Sequence, residues 1–292
     1  MNIIEMEHVS RYFSVTPAVV DLSITVPKGS VFGLFGENGS GKTTSIKMMM
    51  GALIPHEGTV RVLATDPVGM APEIRSRIAY VADEMELPNL MSLSEAMKIH
   101  ASYFEHWDEK QALERLRKYD LNPTQSFGTL SKGQQRRFLL TLALAQQPEL
   151  LILDEPASGL DVAVRREFLD TLMELANERE VTILLSSHIL SDVERVVDHV
   201  AFTKKGGLIK QGNLEDLKSE VKRLCFTTPP EETCFAEEFN ILATTHKGGE
   251  FQAVVNDFAP EKLNGFDCQV EHLNLEELFL IYNAPSAAEK TL

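Results

Sequence analysis

The sequence predicts an α/β fold built on a parallel sheet. Residues 150–153 and 181–185 are continuous apolar runs, as expected of parallel strands that are covered on both faces. A helical pattern over residues 162–179 separates them, which gives the strand–helix–strand alternation of this fold class. A further buried strand, residues 31–35, leads into a glycine-rich loop and then a helical segment, residues 44–50.

The glycine-rich loop has the spacing G-x-x-x-x-G-K-[ST], which forms a backbone cradle for nucleotide phosphates. Its lysine, Lys42, can reach the β- and γ-phosphates, and the hydroxyl of Thr43 can hold Mg²⁺. A glycine-rich surface turn is the alternative, but the strand before the loop and the helix after it favour nucleotide binding. The predicted nucleotide-binding residues of this segment are Gly36, Glu37, Asn38, Gly39, Ser40, Gly41, Lys42, Thr43 and Thr44.

Length and charge narrow the function classes. At 292 residues the chain exceeds the usual size of one domain, so we expect one large domain with a smaller appendage. Hydrophobic residues make up 43% and charged residues 24%, which provides enough apolar material for a folded core. The net charge of −15 opposes binding to a polyanion, so nucleic acid is not an expected partner.

The cysteines and the hydropathy pattern bear on cellular location. Cys225, Cys234 and Cys268 are odd in number and lack a C-x-x-C spacing, so we expect a reducing cytoplasm without disulfides or a zinc site. The N-terminus lacks a signal-peptide pattern, and no stretch reaches the roughly 18 apolar residues that span a bilayer. We therefore expect no direct membrane insertion, so that any membrane role comes through another polypeptide.

Three further segments surround the predicted core. Alternating apolar and polar residues within 1–35 predict strands of a small antiparallel sheet. Helical periodicity, with Ser94 as a candidate cap, predicts a helical subdomain over about residues 84–146. Breakers between short strands predict a small C-terminal α+β accessory domain over residues 214–283 and a flexible tail over 284–292.

Two adjacent carboxylates, Asp154 and Glu155, follow the apolar strand at residues 150–153. In phosphate-loop proteins an acid at a strand end can hold Mg²⁺, which suits Asp154. Glu155, one residue further, could orient or deprotonate the attacking water. The alternative is a solvated turn, but the phosphate loop upstream favours the catalytic interpretation.

A third motif, Leu-Ser-Lys-Gly-Gln at residues 130–134, opens the helical run 135–146. Ser131 and Gly133 can offer a hydroxyl and a backbone N–H to an anion at the helix start. Taken alone, the motif is more typical of a serine-capped helix. Its position between the phosphate loop and the paired carboxylates favours anion binding.

The order of these motifs resembles the nucleotide-binding domain of ATP-binding cassette (ABC) transporters. After the phosphate loop come Leu-Ser-Lys-Gly-Gln, Leu-Ile-Leu-Asp-Glu-Pro at 151–156, Ser-Gly-Leu-Asp at 158–161 and Ser-His at 187–188. The resemblance covers about residues 1–213. It implies an ABC-type P-loop ATPase core with an antiparallel β subdomain and a helical signature subdomain. It also implies that two such domains close head to tail around two ATP molecules.

The resemblance assigns roles to single residues. Tyr12 resembles the aromatic residue that stacks on adenine, with a plain strand aromatic as the alternative. His188 resembles the histidine that contacts the γ-phosphate and the attacking water, so Glu155 and His188 are the implied catalytic residues. The residues implied to act across the dimer are Ser131, Gly133, Gln134 and Asp161.

Two positions depart from the family pattern. Asp83 stands where the family often has a glutamine that touches Mg²⁺ and senses the membrane partner. Its carboxylate suits a hard cation, so Thr43, Asp83 and Asp154 form the implied metal set, with a solvated loop as the alternative for Asp83. Lys132 stands where a second glycine is common, and this departure does not by itself imply inactivity.

The resemblance implies a cytoplasmic ATP-binding and ATP-hydrolysing subunit of an ABC transporter, with ATP and Mg²⁺ as ligands. Its implied partners are a second ABC protomer and integral-membrane transporter subunits, which would hold it at the inner face of the cell membrane. The pattern resembles bacterial ABC-2-type systems, including those linked to acetoin use or antibiotic response. The alternative is a soluble ABC ATPase that acts as a nucleotide-gated regulator or on ribosomes or DNA.

Overall fold

Strands and helices alternate through most of the chain. The computed structural model describes residues 1–83, 85–178, 181–230, 232–247, 250–263 and 265–284. Glu84, where the predicted helical subdomain begins, and residues 285–292 of the predicted tail lie outside the described residues.

The elements are numbered in chain order. The strands are β1 (Asn2–Phe13), β2 (Thr16–Pro27), β3 (Val31–Gly36), β4 (Glu57–Val62), β5 (Ile78–Val81), β6 (Leu150–Leu153), β7 (Thr182–Ser187), β8 (His199–Lys204), β9 (Gly207–Asn213), β10 (Lys222–Phe226), β11 (Asn240–Lys247), β12 (Glu250–Asn256) and β13 (Gln269–His272). The helices are α1 (Lys42–Met49), α2 (Pro72–Arg75), α3 (Leu93–Ala101), α4 (Glu109–Lys118), α5 (Lys132–Ala145), α6 (Val162–Glu178), α7 (Leu190–Val193), α8 (Leu214–Glu220), α9 (Glu232–Glu238) and α10 (Leu275–Asn283). Short 3-10 turns lie at Phe127–Thr129 and Pro260–Leu263.

A six-stranded sheet forms the centre of the fold, in the order β5-β6-β7-β3-β8-β9. The first five strands run parallel, and β9 runs antiparallel to β8. Strands β6 and β7 are buried along their whole length, which accounts for their apolar sequences. The predicted α/β class is confirmed, and the carboxyl ends of β3, β6 and β7 lie side by side.

A three-stranded antiparallel sheet, in the order β2-β1-β4, covers one face of the central sheet together with α1. Its buried residues, such as Ile4 and Val26, share one core with Phe32 of β3 and Ile152 of β6. The predicted antiparallel β subdomain is therefore present, and it supports the strand that leads into the phosphate loop.

Helices α3, α4, α5 and α6 pack together in the core on the other face. The cap of α3 is Ser92 and not Ser94, so that detail of the sequence prediction is wrong. The Ser92 hydroxyl accepts from the Glu95 N–H, and the Glu95 carboxylate accepts from the Ser92 N–H. This reciprocal arrangement needs a Glu or Gln three residues after the cap, and the residue three after Ser94 is Met97.

The region after β9 forms a second sheet, in the order β11-β12-β10-β13, with its own aromatic core around Phe226 and Phe235. Two helices, α8 before this sheet in the chain and α10 after it, pack instead in the core of the central sheet. Leu217 of α8 and Leu278 of α10 belong to the same core as α5 and α6. The predicted boundary between residues 213 and 214 thus falls where the chain still contributes to the central core, and it stays a prediction. Among the described residues, no helix has the length and apolar content to cross a bilayer.

Phe279 joins α10 to the central sheet, and we predict that its truncation destabilises the whole protein. Its ring packs edge-on against Phe202 of β8, with 5.5 Å between ring centroids. Phe279→Ala should lower the free energy of unfolding by about 3 kcal/mol, as expected for a buried phenylalanine. The neighbouring Leu280 is 60% exposed, so Leu280→Ala should change it by less than about 0.5 kcal/mol. Equal losses in a urea titration would contradict this packing role.

Candidate functional site

The phosphate loop has a shape that only glycine permits at two positions. Gly41 has φ 98°, and a Cβ there would lie 2.6 Å from the carbonyl oxygen of Ala18. A Cβ on Gly36 would lie 2.2 Å from the Ser40 hydroxyl and 2.5 Å from that of Thr203. The Thr203 hydroxyl on β8 also bonds Ser40 and donates to the β3 backbone, which anchors the loop.

The rest of the loop lies where a ligand can reach it. Glu37, Asn38 and Gly39 are exposed at the loop tip, and Thr44 is half-buried in the first turn of α1. Helix α1 begins at Lys42, so its N-terminal N–H groups and its positive dipole end face the loop. The predicted nucleotide-binding residues of this segment therefore include an accessible tip and first helical turn, whereas Gly36, Ser40 and Lys42 are buried.

Lys42 is nearly buried inside the loop, with only 6% of its side chain exposed. Its ammonium donates to the carbonyl oxygen of Gly36 at 2.8 Å and to that of Glu37 at 3.4 Å. It also lies 3.4 Å from a carboxylate oxygen of Glu155, whose side chain is 15% exposed. One cation thus links the phosphate loop to the end of β6.

Asp154 is buried at the end of β6 and contacts two hydroxyls. The Ser186 hydroxyl, on β7, donates to Asp154 Oδ1 at 2.6 Å, and the Thr43 hydroxyl donates to the same oxygen at 3.4 Å. The Ser186 hydroxyl also accepts from the backbone N–H of Glu155 at 2.9 Å. Hydroxyl and carboxylate oxygens are the donors that Mg²⁺ prefers in proteins, so this pair fits such an ion.

Glu155 has an uncommon backbone conformation, and both of its carboxylate oxygens make contacts. Its φ is 48°, which costs a residue other than glycine about 1–3 kcal/mol. Oε2 lies 2.7 Å from His188 Nδ1 and accepts from the His188 backbone N–H at 3.3 Å. Oε1 faces Lys42. The predicted residues Lys42, Thr43, Asp154, Glu155 and His188 are thus brought together.

The neighbouring Tyr80 on β5 lies in the electrostatic field of this cluster. Burial is the main cause that raises the pKa of Tyr80 to about 12, and the negative charge of Asp154 contributes. The phenol therefore stays protonated at any physiological pH.

Ser131, Gly133 and Gln134 lie at the start of α5. The Ser131 hydroxyl accepts from the Gln134 N–H at 3.3 Å, and Gln134 Oε1 accepts from the Ser131 N–H at 2.9 Å. A Cβ on Gly133 would lie 2.7 Å from Val164 of α6, so glycine permits close helix packing there. Ser131 is exposed. Within the described residues, no hydrogen bond or ion pair joins these three to the cluster around Lys42.

Asp83 contacts a different residue from the other two implied metal ligands. Its carboxylate accepts from the guanidinium of Arg136 on α5 at 2.8 Å. Arg136 also donates to the carbonyl oxygen of Ala82 at 2.6 Å and to that of Asp83. Arg136 therefore fastens the loop after β5 to α5, while Thr43 and Asp154 contact each other.

The two remaining predicted residues, Tyr12 and Asp161, make local contacts. Tyr12, on β1, packs its ring against His56 at 5.6 Å between centroids, and its N–H donates to His56. Asp161 accepts from the Val164 N–H at 3.0 Å and so caps α6. Each therefore has a local structural contact in addition to its implied role.

Sequence reasoning missed three residues that shape the site, namely Thr203, Arg136 and Ser186. Each acts through a tertiary contact that no local motif encodes. The available signal for Ser186 was a polar residue at the end of an otherwise apolar strand, directly before the predicted Ser-His pair.

Comparisons with known proteins agree on one family. A family model described as "ABC transporter" matches residues 19–158. The ABC transporter ATP-binding protein YtrB of Bacillus subtilis is 26% identical, over 95% of this chain and 97% of that protein. The bacitracin transport ATP-binding protein BcrA of Enterococcus faecalis is 31% identical, over 74% of this chain and 70% of that protein.

Solved structures give the same result. A structure described as the ATP-binding subunit of an ABC transporter has a TM-score of 0.66 and 26% identity, and the match covers 74% of this chain and 92% of that one. The resemblance drawn from the motif order is confirmed, and the soluble alternative is not favoured. The chain belongs to the ATP-binding proteins of ABC transporters and is an ATP-hydrolysing subunit of such a transporter.

Proposed function

We propose that Glu155 is the general base of ATP hydrolysis and that Lys42 and His188 control its position. The observation that carries this proposal is the placement of Glu155 between the Lys42 ammonium at 3.4 Å and His188 Nδ1 at 2.7 Å. A carboxylate beside a phosphate-binding loop can take a proton from the attacking water. The water oxygen bonds the γ-phosphorus, the bond to the bridging oxygen breaks, and its electron pair leaves with ADP.

Nucleotide binding changes the contacts of Lys42. In the structure, its nearly buried ammonium is satisfied by two loop carbonyls and one carboxylate. A triphosphate at the loop carries several negative charges and competes for the same cation. Glu155 is then freed on one oxygen while His188 still holds the other, so the base becomes available when substrate is in place.

Thr43 and Asp154 are the proposed protein ligands of Mg²⁺, and the contact between them supports this assignment. Bound Mg²⁺ neutralises charge on the β- and γ-phosphates. These few protein oxygens would leave other positions on the ion for phosphate oxygens and water. Asp83 stays the third proposed ligand, because Arg136 contacts only its Oδ1 and the second carboxylate oxygen can face the ion.

The site is completed by a second protomer in this proposal. Ser131, Gly133 and Gln134 lie at the start of the 14-residue helix α5, where N–H groups and the helix dipole favour an anion. Since their contacts lie away from the Lys42 cluster of the same chain, a head-to-tail partner is the natural source of the triphosphate that they would bind. Asp161 at the start of α6 and Tyr12 on β1 keep their implied roles at the dimer interface and the adenine. The subunit is placed at the cytoplasmic face of the membrane through integral-membrane partners, as family membership suggests.

We predict that Glu155→Gln retains ATP binding and loses hydrolysis. The amide keeps the side-chain shape but cannot accept the proton, so steady-state turnover should fall at least about 100-fold. ATP should then trap a dimer, which size-exclusion chromatography detects. Glu174→Gln, an exposed change at a surface ion pair, is the control and should leave turnover unchanged. Undiminished hydrolysis by Glu155→Gln would contradict the base assignment.

Lys42→Ala should instead weaken nucleotide binding itself. Removal of a nearly buried cation that faces the phosphates should raise the Kd for ATP at least about tenfold. Lys47 lies on the same helix and is exposed, so Lys47→Ala should leave the Kd within about twofold. A fluorescent-nucleotide titration measures both values, and an unchanged Kd for Lys42→Ala would place the phosphates elsewhere.

A further inference from the structure

Ser186 is a fully buried hydroxyl at the carboxyl end of a core strand. Its neighbours along β7, residues 183–185, are apolar and equally buried. A buried hydroxyl is costly unless its hydrogen bonds are made. Ser186 makes two, and both go to the pair of carboxylate residues at the end of the adjacent strand β6.

The two bonds act on different parts of that pair. The donated bond to Asp154 Oδ1 is 2.6 Å long and is charge-assisted, which makes it the stronger of the two. It fixes the rotation of the carboxylate that Thr43 also contacts. The accepted bond, 2.9 Å from the Glu155 N–H, holds the backbone where φ is 48°. A single hydroxyl therefore sets the direction of both acids.

We propose that Ser186 is a positioning residue that aims Asp154 at the metal and Glu155 at the attacking water. The inference rests on the proposed roles of those two acids. It assigns to Ser186 a task that is separate from stability, because the two bonds end on groups that act on the ligands. The competing explanation is that the Ser186 hydroxyl only completes the hydrogen bonds of two polar groups and so contributes to stability alone.

The same strand offers a matched control at its other end. The Thr182 hydroxyl is buried and accepts from the Gly29 N–H at 2.9 Å. Thr182→Val thus removes one buried hydroxyl acceptor from the same strand, far from the acids. Ser186→Ala and Thr182→Val should both lower the thermal midpoint, because each leaves a part-buried N–H without its partner.

The test measures metal affinity directly. Mn²⁺ is the probe, since it takes the same oxygen ligands as Mg²⁺ and its EPR signal reports binding in the presence of a non-hydrolysable ATP analogue. Ser186→Ala should weaken Mn²⁺ binding about 10- to 100-fold and lower kcat by a similar factor, as expected when a group that orients a ligand is lost. Affinity for the analogue in EDTA should stay within about twofold. Thr182→Val should leave Mn²⁺ affinity and kcat unchanged.

A second variant keeps the proposal testable if Ser186→Ala does not fold. Ser186→Cys keeps the side-chain size and replaces a strong donor by a weak one, so it should also weaken Mn²⁺ binding. If either folded variant binds Mn²⁺ and turns over as the wild type does, with only a lower thermal midpoint, the positioning role is overturned. Failure of the underlying proposal has a different signature, in which Asp154→Asn binds Mn²⁺ normally or Glu155→Gln hydrolyses ATP normally.

Discussion

The contact between Glu155 and the buried ammonium of Lys42 is the interaction on which the site depends. It is possible because β6, β7 and β3 are neighbours in a parallel sheet, so the residues that follow them meet at one edge. Lys42 follows β3, Glu155 follows β6 and His188 follows β7. The covered, apolar strands thus bring three distant sequence motifs together at their carboxyl ends. Ligands of open α/β sheets usually bind at this edge.

The cluster is stable because each unfavourable feature has a partner. Lys42 and Asp154 are almost buried, and Glu155 has a left-handed backbone. Charges and hydroxyls in low-dielectric surroundings favour the folded state only when they are mutually satisfied, and here they are. In the function that we propose, a triphosphate takes the place of the Glu155 carboxylate as the partner of Lys42, so the buried cation keeps an anionic partner.

Much of this could be predicted from the sequence because the features are local. Apolar runs identify the buried strands, and the phosphate loop and the Asp-Glu pair each need only consecutive residues. The contacts of Ser186, Arg136 and Thr203 could not, since they join segments more than 30 residues apart. The packing of α10 on β8 is a similar case, because an amphipathic helix does not reveal which strand it covers. The roles of Asp83 and of the 213–214 boundary depend on such contacts as well.

In the proposed assembly, each chain carries half of an ATP site, with Lys42 in one half and Ser131 in the other. Mixing two inactive variants, Lys42→Ala and Ser131→Arg, tests it most directly. In a mixed dimer the intact phosphate loop of one chain faces the intact Ser131 of its partner, so one of two sites is restored. Free exchange at equal concentrations should recover about a quarter of wild-type ATP hydrolysis, given a symmetric dimer with independent sites. Activity no greater than the average of the two separate variants would contradict the claim.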